Sequence, residues 1–319
     1  MTWNSARDII AAITSLNSQT VPPVSITVVD NASTDGTPDL VAAEFPAVNL
    51  VRLKDNIGFA AGNNLGILEC EGDWYLLLNP DATIEPEWTE KLLLFSEADP
   101  AIGMVGGILW RSGTNPGELK VIDSLGIEIY RSFRVRDAGT GEPETSLPTL
   151  PTRVFGVCAA AVLLKREMLT DISIGGEVFP ERFFCYYEDA DLAWRAWRRG
   201  WQAWIVPTAQ GVHSRGGSPV GSRFSRYLTH RNRLWLILRN ARAVDLPAAI
   251  PALIGHEVLM AARLLRYPYL WKAVREALAG TGKSLREHKL LPDKESPVLP
   301  FMPGIGFKKV EKRRAIKQR

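Results

Sequence analysis

Over its first hundred residues the chain alternates between short apolar runs and segments of helical period, the signature of strand–helix–strand units. Ser25 to Val29, Val48 to Arg52, Asp73 to Leu78 and Ile102 to Gly107 read as strands. Ala6 to Leu16, Thr37 to Glu44, Ala60 to Leu68 and Trp88 to Glu97 read as the helices around them. Ser33 and Thr34 before Asp35-Gly36 supply turn and cap chemistry at one helix start, and Pro86 suits the first turn of another. The pattern predicts an α/β fold with a mostly parallel sheet flanked by helices.

From Leu109 to Pro151 glycines and prolines surround the alternating set Ile122, Leu125, Ile127 and Ile129, which reads as a loop-and-hairpin insertion. Phe155 to Leu164 then reads as a buried strand, Glu188 to Arg199 as a helix ended by Gly200, and Trp201 to Val206 as a further strand. The last hundred residues carry Leu253, Ile254, Val258, Leu259, Ala262, Leu265 and Trp271 at roughly helical spacing. Three parts follow: a main domain over 1–240, an amphipathic helical segment over 241–307, and a basic tail over 308–319. No stretch approaches the roughly 18 to 20 apolar residues that span a bilayer, and no signal peptide opens the chain. The longest candidate, Leu246 to Gly255, is broken by Pro247 and Pro251 and runs into His256 and Glu257.

With 46% hydrophobic and 23% charged residues, the 319-residue chain has the composition of a folded globular protein. Cys70, Cys158 and Cys185 form no close pair, which argues against a disulfide framework or a cysteine-rich zinc site and fits a reducing cytoplasm. The net charge of +3 resides in the tail, since Lys308 to Arg319 holds seven basic residues and one acidic. A nucleic-acid partner is not expected, because it would call for basic residues spread over a folded face with interleaved aromatics. The tail reads either as a solvated end or as a contact with a partner or, peripherally, with an anionic membrane at its inner face.

In an open parallel sheet, ligands bind beyond the carboxyl ends of the strands. Two predicted strands end there in polar residues: Val28-Val29-Asp30-Asn31 and Leu78-Asn79-Pro80-Asp81. Either carboxylate alone is commonly a turn former or helix cap. Two further segments stand out: Asn56-Ile57-Gly58-Phe59-Ala60-Ala61-Gly62-Asn63-Asn64, and Tyr187-Glu188-Asp189-Ala190-Asp191-Leu192 with Arg195.

In this order and spacing, over residues 1 to about 240, the four segments resemble the inverting glycosyltransferases of family 2, which have a GT-A fold, especially the bacterial rhamnosyltransferase-like branch. The resemblance implies transfer of a sugar from a nucleotide-sugar donor to a hydroxyl of a glycan or lipid-linked precursor of the cell surface. Rhamnose from its dTDP donor is the leading sugar by resemblance. Asp30 would bind the donor's nucleobase or ribose. Asn79-Pro80-Asp81 stands where the family has Asp-x-Asp, so Asp81 would ligate a divalent metal, Mg²⁺ or Mn²⁺, that neutralises the departing diphosphate. Asn79 departs from that pattern, removes one charge and would serve the ribose. Asn56, Gly58 and Asn63 lie at a helix start suited to phosphate or ribose, or form an ordinary loop. The segment is not the Gly-x-Gly-x-x-Gly of a dinucleotide site, which argues against a dehydrogenase.

Asp189 would be the base that takes the acceptor's proton, with Glu188 and Asp191 supporting it and raising its pKa. Carboxylates at a helix start are also favoured by the dipole without any function. His213, in a loop after a strand, would be a second ligand to the metal or the diphosphate. Arg231 and Arg233 would clamp phosphate or form a salt-bridged helix face. Trp194, Trp197, Trp201 and Trp204 are expected to pack behind the acidic helix rather than to hold sugar.

Two rival readings stand beside this one. A sugar nucleotidyltransferase would need a glycine-rich, Lys/Arg-containing phosphate loop near the first strand, and none is present. A non-catalytic glycan-binding relative is motivated by the opening strand, which covers only Met1 to Asn4 where the family's is longer, so that a start further upstream is expected.

Overall fold

The computed structural model describes residues 1–113, 119–215, 222–294 and 299–302. The N-terminal half runs α1 (Ile9–Asn17), β1 (Thr27–Asp30), α2 (Thr37–Glu44), β2 (Asn49–Arg52), α3 (Gly58–Leu68), β3 (Trp74–Leu78), β4 (Ala82–Ile84), α4 (Trp88–Ser96) and β5 (Ile102–Arg111). The predicted insertion folds as β6 (Ile122–Ser124), β7 (Ile127–Ile129), β8 (Val135–Asp137) and β9 (Thr152–Val154). Then follow β10 (Ala161–Lys165), α5 (Arg166–Ile172), α6 (Glu188–Arg198), β11 (Gln202–His213), α7 (Arg223–Asn240), α8 (Leu246–Arg266), α9 (Leu270–Ala279) and α10 (Thr281–Leu290).

The fold class is α/β, as the alternation predicts, but the sheet is mixed rather than mostly parallel. β1 and β2 form a parallel pair, and the larger sheet has the order β3-β10-β5-β11-β4, with β6 on β5 and β9 on β11. Within it only β5 and β11 run parallel; β10 is antiparallel to β3 and β5, and β4 is antiparallel to β11. The cause lies in the connections. Among the described residues no α-helix crosses between β5 and β10, which are linked through antiparallel strand pairs, and a parallel neighbour requires a crossover. The edge of β1 away from β2 is met by Thr2, whose amide donates to Val29 O and whose carbonyl accepts from Asn31 N. Between β1 and β3 lies an apolar cleft of about 330 Å³ lined in part by Ile13, Val28, Val29, Asn63 and Leu77.

Two expected strands have different limits. Gly156 pairs with β7 through Ile127 N–H···O=C at 2.7 Å, and a Cβ there would sit 2.5 Å from that of Ala193, so the predicted 155–164 strand begins only at Ala161. β11 continues past Pro207, where a register irregularity absorbs the missing amide, and reaches His213. Behind the sheet, Met104, Leu164, Phe179 and Trp194 belong to one buried cluster, and Trp194 stacks on Phe133 at 5.3 Å. Trp197 is in that core, and Trp201 and Trp204 pack against it and its neighbour, the packing role expected of them.

The prolines do not divide α8. Pro247 falls in the first turn, where no amide is needed, and Pro251 removes a single helix bond. The result is one 21-residue helix that is, by length and composition alone, apolar enough to cross a membrane. Its Glu257 pairs with Arg233 of α7 at 2.8 Å, while Ile250, Ile254, Val258 and Leu265 are exposed. The tail, Lys308 to Arg319, lies outside the described residues.

Candidate functional site

A reversing turn and a long strand bring Asp81 and His213 together. β3 ends at Leu78, Asn79 to Asp81 turn the chain, and β4 leaves with Ala82 opposite His213 of β11. The Asn79 amide donates to Ala160 O and the Ala82 amide to Asn79 O, which fixes the turn. His213 Nε2 then sits 3.2 Å from Asp81 Oδ1. The histidine is the last residue of the strand, not a member of a loop beyond it; Gly216 to Ser218 lie outside the described residues.

The insertion supplies what lies behind this pair. Asp123, fully buried on β6, contacts His213 Nδ1 through Oδ2 at 2.8 Å and accepts from Arg215 Nε through Oδ1 at 2.5 Å. Arg215 also donates to Asp137 of β8 at 2.6 Å. Burial opposes a charge on His213, but its bonds to Asp123 and Asp81 override that and raise its pKa to about 9. Burial likewise works against a charge on Asp123, and His213 and Arg215 reverse it, holding the carboxyl below its ordinary range. Once a metal displaces the Nε2 proton of the imidazolium, the donor set fits a hard divalent ion: a carboxylate oxygen and an imidazole nitrogen converge, and a carboxylate holds the opposite imidazole nitrogen, as it does behind many metal-bound histidines. Asp123 lies on the far side of the imidazole, and among the described residues no three His, Cys, Asp or Glu side chains are placed to hold one ion together, so diphosphate oxygens and water would complete the shell.

The acidic helix α6 is presented by a strained strap. Phe184, Tyr186 and Tyr187 have φ values of 66°, 70° and 72°. Such backbone persists only where its surroundings over-determine it. Here the buried Asn232 of α7 does so, donating to the carbonyls of Phe183, Cys185 and Tyr186 at 2.8 to 2.9 Å. Arg231 donates to the carbonyls of Arg182 and Phe183 and pairs with Glu276 at 3.2 Å, so the structure places it on the strap and on α9. Arg233 is bound to Ser132 O and Glu257.

The three carboxylates that open α6 have different surroundings. Asp191 is wholly buried and bonded to Arg195, Arg239 and Asn240. Burial resists its charge, yet the Arg239 and Arg195 guanidinium groups hold its carboxyl far below the usual range. The Asp191–Arg195 pair is the one-turn pairing that the helical spacing permits. Glu188 is buried with Oε2 unpartnered among the described residues, and burial followed by the charges of Asp189 and Asp191 pushes its pKa far up. Asp189 is half-buried, accepts from the Ala190 amide at 2.8 Å, and has its pKa raised to about 6, first by burial and then by Asp137. The upward direction is the one expected, but the charged neighbour that contributes is Asp137, from the insertion.

On the donor side, Asp30 ends β1 almost wholly buried. Oδ2 accepts from the Ser33 amide at 3.0 Å, whereas Oδ1 has no hydrogen-bond partner among the described residues. Asn31 ties β1 to the start of α3, donating to Asn56 Oδ1 and Gly58 O and accepting from Ile57 N. Asn56 Oδ1 also accepts from Gly58 N, which commits that oxygen to the loop. Gly58, at φ 91°, faces Phe184 so closely that a Cβ would lie 2.6 Å from its ring. Asn63 donates to Phe59 O within α3, and Asn79 is half-buried.

Residues 1–168 match the sequence profile of Glycosyl transferase family 2. The chain belongs to glycosyltransferase family 2. It is 28% identical over 242 residues to the N-acetylglucosaminyl-diphospho-decaprenol L-rhamnosyltransferase of Mycobacterium tuberculosis, an alignment covering 71% of this chain and 78% of that one. The succinoglycan biosynthesis protein ExoO of Rhizobium meliloti is 37% identical over 97 residues, which is 30% of this chain and 28% of ExoO. Among solved structures, S. aureus TarS 1–349 superposes with a TM-score of 0.54 at 16% identity, covering 91% of this chain and 81% of that one. GalNAc-T7 with UDP, GalNAc and Mn²⁺ also gives 0.54, at 13% identity, over 73% of this chain and 45% of that structure. Both structural likenesses concern the GT-A fold.

Sequence reasoning about this glycosyltransferase missed Asp123, Asp137, Arg215 and Asn232. Asp123 carried a signal: an acid inside the alternating apolar set of a predicted hairpin is out of pattern, and buried charges are paired or functional. Asn232 stands between Arg231 and Arg233, with nothing in the sequence to show that its amide faces a loop some 46 to 49 residues earlier.

Proposed function

We propose that the chain is an inverting, metal-assisted transferase that moves a sugar, rhamnose from a dTDP donor in the first instance, onto a hydroxyl of a lipid-linked glycan precursor. The observation that carries the reading is the convergence of Asp81 and His213 at 3.2 Å, backed by Asp123. A divalent metal bound there would offset the charge of the departing diphosphate. The unpartnered Asp30 Oδ1 accepts a hydrogen bond from the nucleoside. Asp189, with a pKa near 6 and so ionised at neutral pH, takes the proton of the acceptor hydroxyl. That oxygen bonds to the sugar's anomeric carbon as the carbon–phosphate oxygen bond breaks, and the electron pair leaves with the nucleoside diphosphate. Rhamnose and a polyprenyl-diphosphate acceptor are drawn from the mycobacterial relative's name, and Mn²⁺ from the ligand of GalNAc-T7.

A panel of nucleoside diphosphates and nucleotide sugars, titrated calorimetrically with and without Mn²⁺, tests the reading. dTDP should bind with Mn²⁺ and weakly without it. Asp81→Asn should remove the metal-dependent part, and Asp123→Asn should weaken it by roughly 10- to 100-fold through a misdirected imidazole. Metal-dependent binding that Asp81→Asn leaves unchanged would sink it.

A further inference from the structure

A second cavity, of about 480 Å³, lies between α7, α8 and the β7–β8 turn, and Tyr187 at the end of the strap forms part of its wall. Arg134, Arg226, Arg233 and Arg263 line it, with His230 and His256, and no carboxylate is among the lining residues. Glu257 nearby offsets one charge through its bond to Arg233. The guanidinium groups act on one another: Arg134 is lowered from its ordinary pKa by burial first and, among the charges, by Arg263, Arg233 and Arg136. His230 and His256 are also pushed down, by burial first and then, among other charges, by Arg233, so they add hydrogen-bonding capacity without charge. A fold that gathers four arginines in one chamber fits an anion of at least two charges, and planar guanidinium groups fit phosphate oxygens in pairs. The volume falls in the range of small-ligand sites, roughly 300 to 1,000 Å³.

The chamber also has an apolar neighbour. α8 turns His256, Met260 and Arg263 towards the cavity, residues four and three apart on one face. Its other side exposes Ile250, Ile254, Val258 and Leu265. The two faces lie on opposite sides of the helix, so a single ligand that reaches both is a diphosphate carrying a hydrocarbon long enough to pass round α8. Tyr187, which caps the start of α6, stands two residues before Asp189, so the cavity borders the helix start that carries the base.

We propose that this arginine cavity binds the diphosphate of a prenyl-diphosphate-linked acceptor, with the prenyl chain running over the apolar side of α8. The proposal rests on the transferase reading above and adds to it the seat of the acceptor, separate from the Asp81–His213 pair. Farnesyl diphosphate and inorganic pyrophosphate serve as probes in calorimetry on the full chain with chelator present, which keeps the metal pair from holding either. Arg226 and Arg263 are exposed, so Arg226→Gln/Arg263→Gln should fold normally. It should weaken farnesyl diphosphate at least tenfold while leaving Mn²⁺-dependent dTDP binding unchanged. Ile254→Ser/Val258→Ser should weaken farnesyl diphosphate and leave pyrophosphate as it was. Equal farnesyl diphosphate affinity in the arginine variant and the parent would overturn the proposal. So would pyrophosphate binding as tightly as farnesyl diphosphate, which marks a free-phosphate site, or a parallel loss of dTDP binding, which gives the cavity to the donor. Failure of the parent to bind dTDP with Mn²⁺ would instead sink the transferase reading and leave the cavity result standing.

Discussion

Two residues apart on α6, Asp189 and Asp191 differ by their neighbours rather than by their chemistry. Asp191 answers two buried guanidinium groups, so Asp191→Asn leaves Arg195 uncompensated and Arg239 with Glu287 alone, and should cost about 3 to 5 kcal/mol of stability. Its carboxyl is depressed in the folded state, so its contribution is complete above the ordinary carboxyl pKa of about 4 and is lost as pH falls below that. Asp189 behaves in the opposite sense. Its raised pKa means that ionisation costs stability as pH rises from about 4 towards 6, so Asp189→Asn should be neutral or stabilising at pH 7. Denaturant melts of both variants at pH 5 and pH 7 check this, and equal destabilisation by the two would show that both are structural. The sequence placed all three carboxylates at one helix start, but their roles depend on Arg239, Asn240 and Asp137, which arrive from distant segments.

At the scale of elements, hydrophobic period was informative where a strand or helix buries a regular face, as in β1, α2, β2, β3 and α4. It misjudged β11, because a proline ends most strand patterns yet here sits at an irregularity that the ladder tolerates. At α8 the helical period held, and the two prolines that interrupt its apolar run are tolerated, one in the first turn and the other at the loss of a single helix bond. The strap before α6 has no periodic signal at all; its shape comes from Asn232, one side chain satisfying three carbonyls. Asn232→Leu is isosteric enough to keep the core filled and removes all three bonds, at a cost of roughly 3 kcal/mol. It should lower transfer through a displaced Asp189 while Mn²⁺-dependent dTDP binding persists. A variant with parental stability and rate would show that the strap holds itself.

Across the whole molecule, the proposed donor side at the strand ends and the proposed acceptor side against α7 and α8 both border the start of α6. The proposed lipid-linked acceptor would bring the enzyme to a bilayer, and two features accord with that proposal: the exposed apolar side of α8 and the basic composition of 308–319. Each basic residue near an anionic surface adds roughly 1 kcal/mol of attraction, screened within a Debye length. A chain ending at Phe307 should therefore sediment less with anionic vesicles at low salt, with the difference vanishing at high salt, and undiminished sedimentation would show the tail to be inert. The measurement that bears most directly on the whole account is the single-turnover rate of Asp189→Asn set beside its dTDP-sugar dissociation constant. The change keeps the shape and removes the basicity, so transfer should fall by roughly 10² to 10⁴ with donor affinity intact. Near-parental transfer by Asp189→Asn would contradict the account and take the base away from this residue.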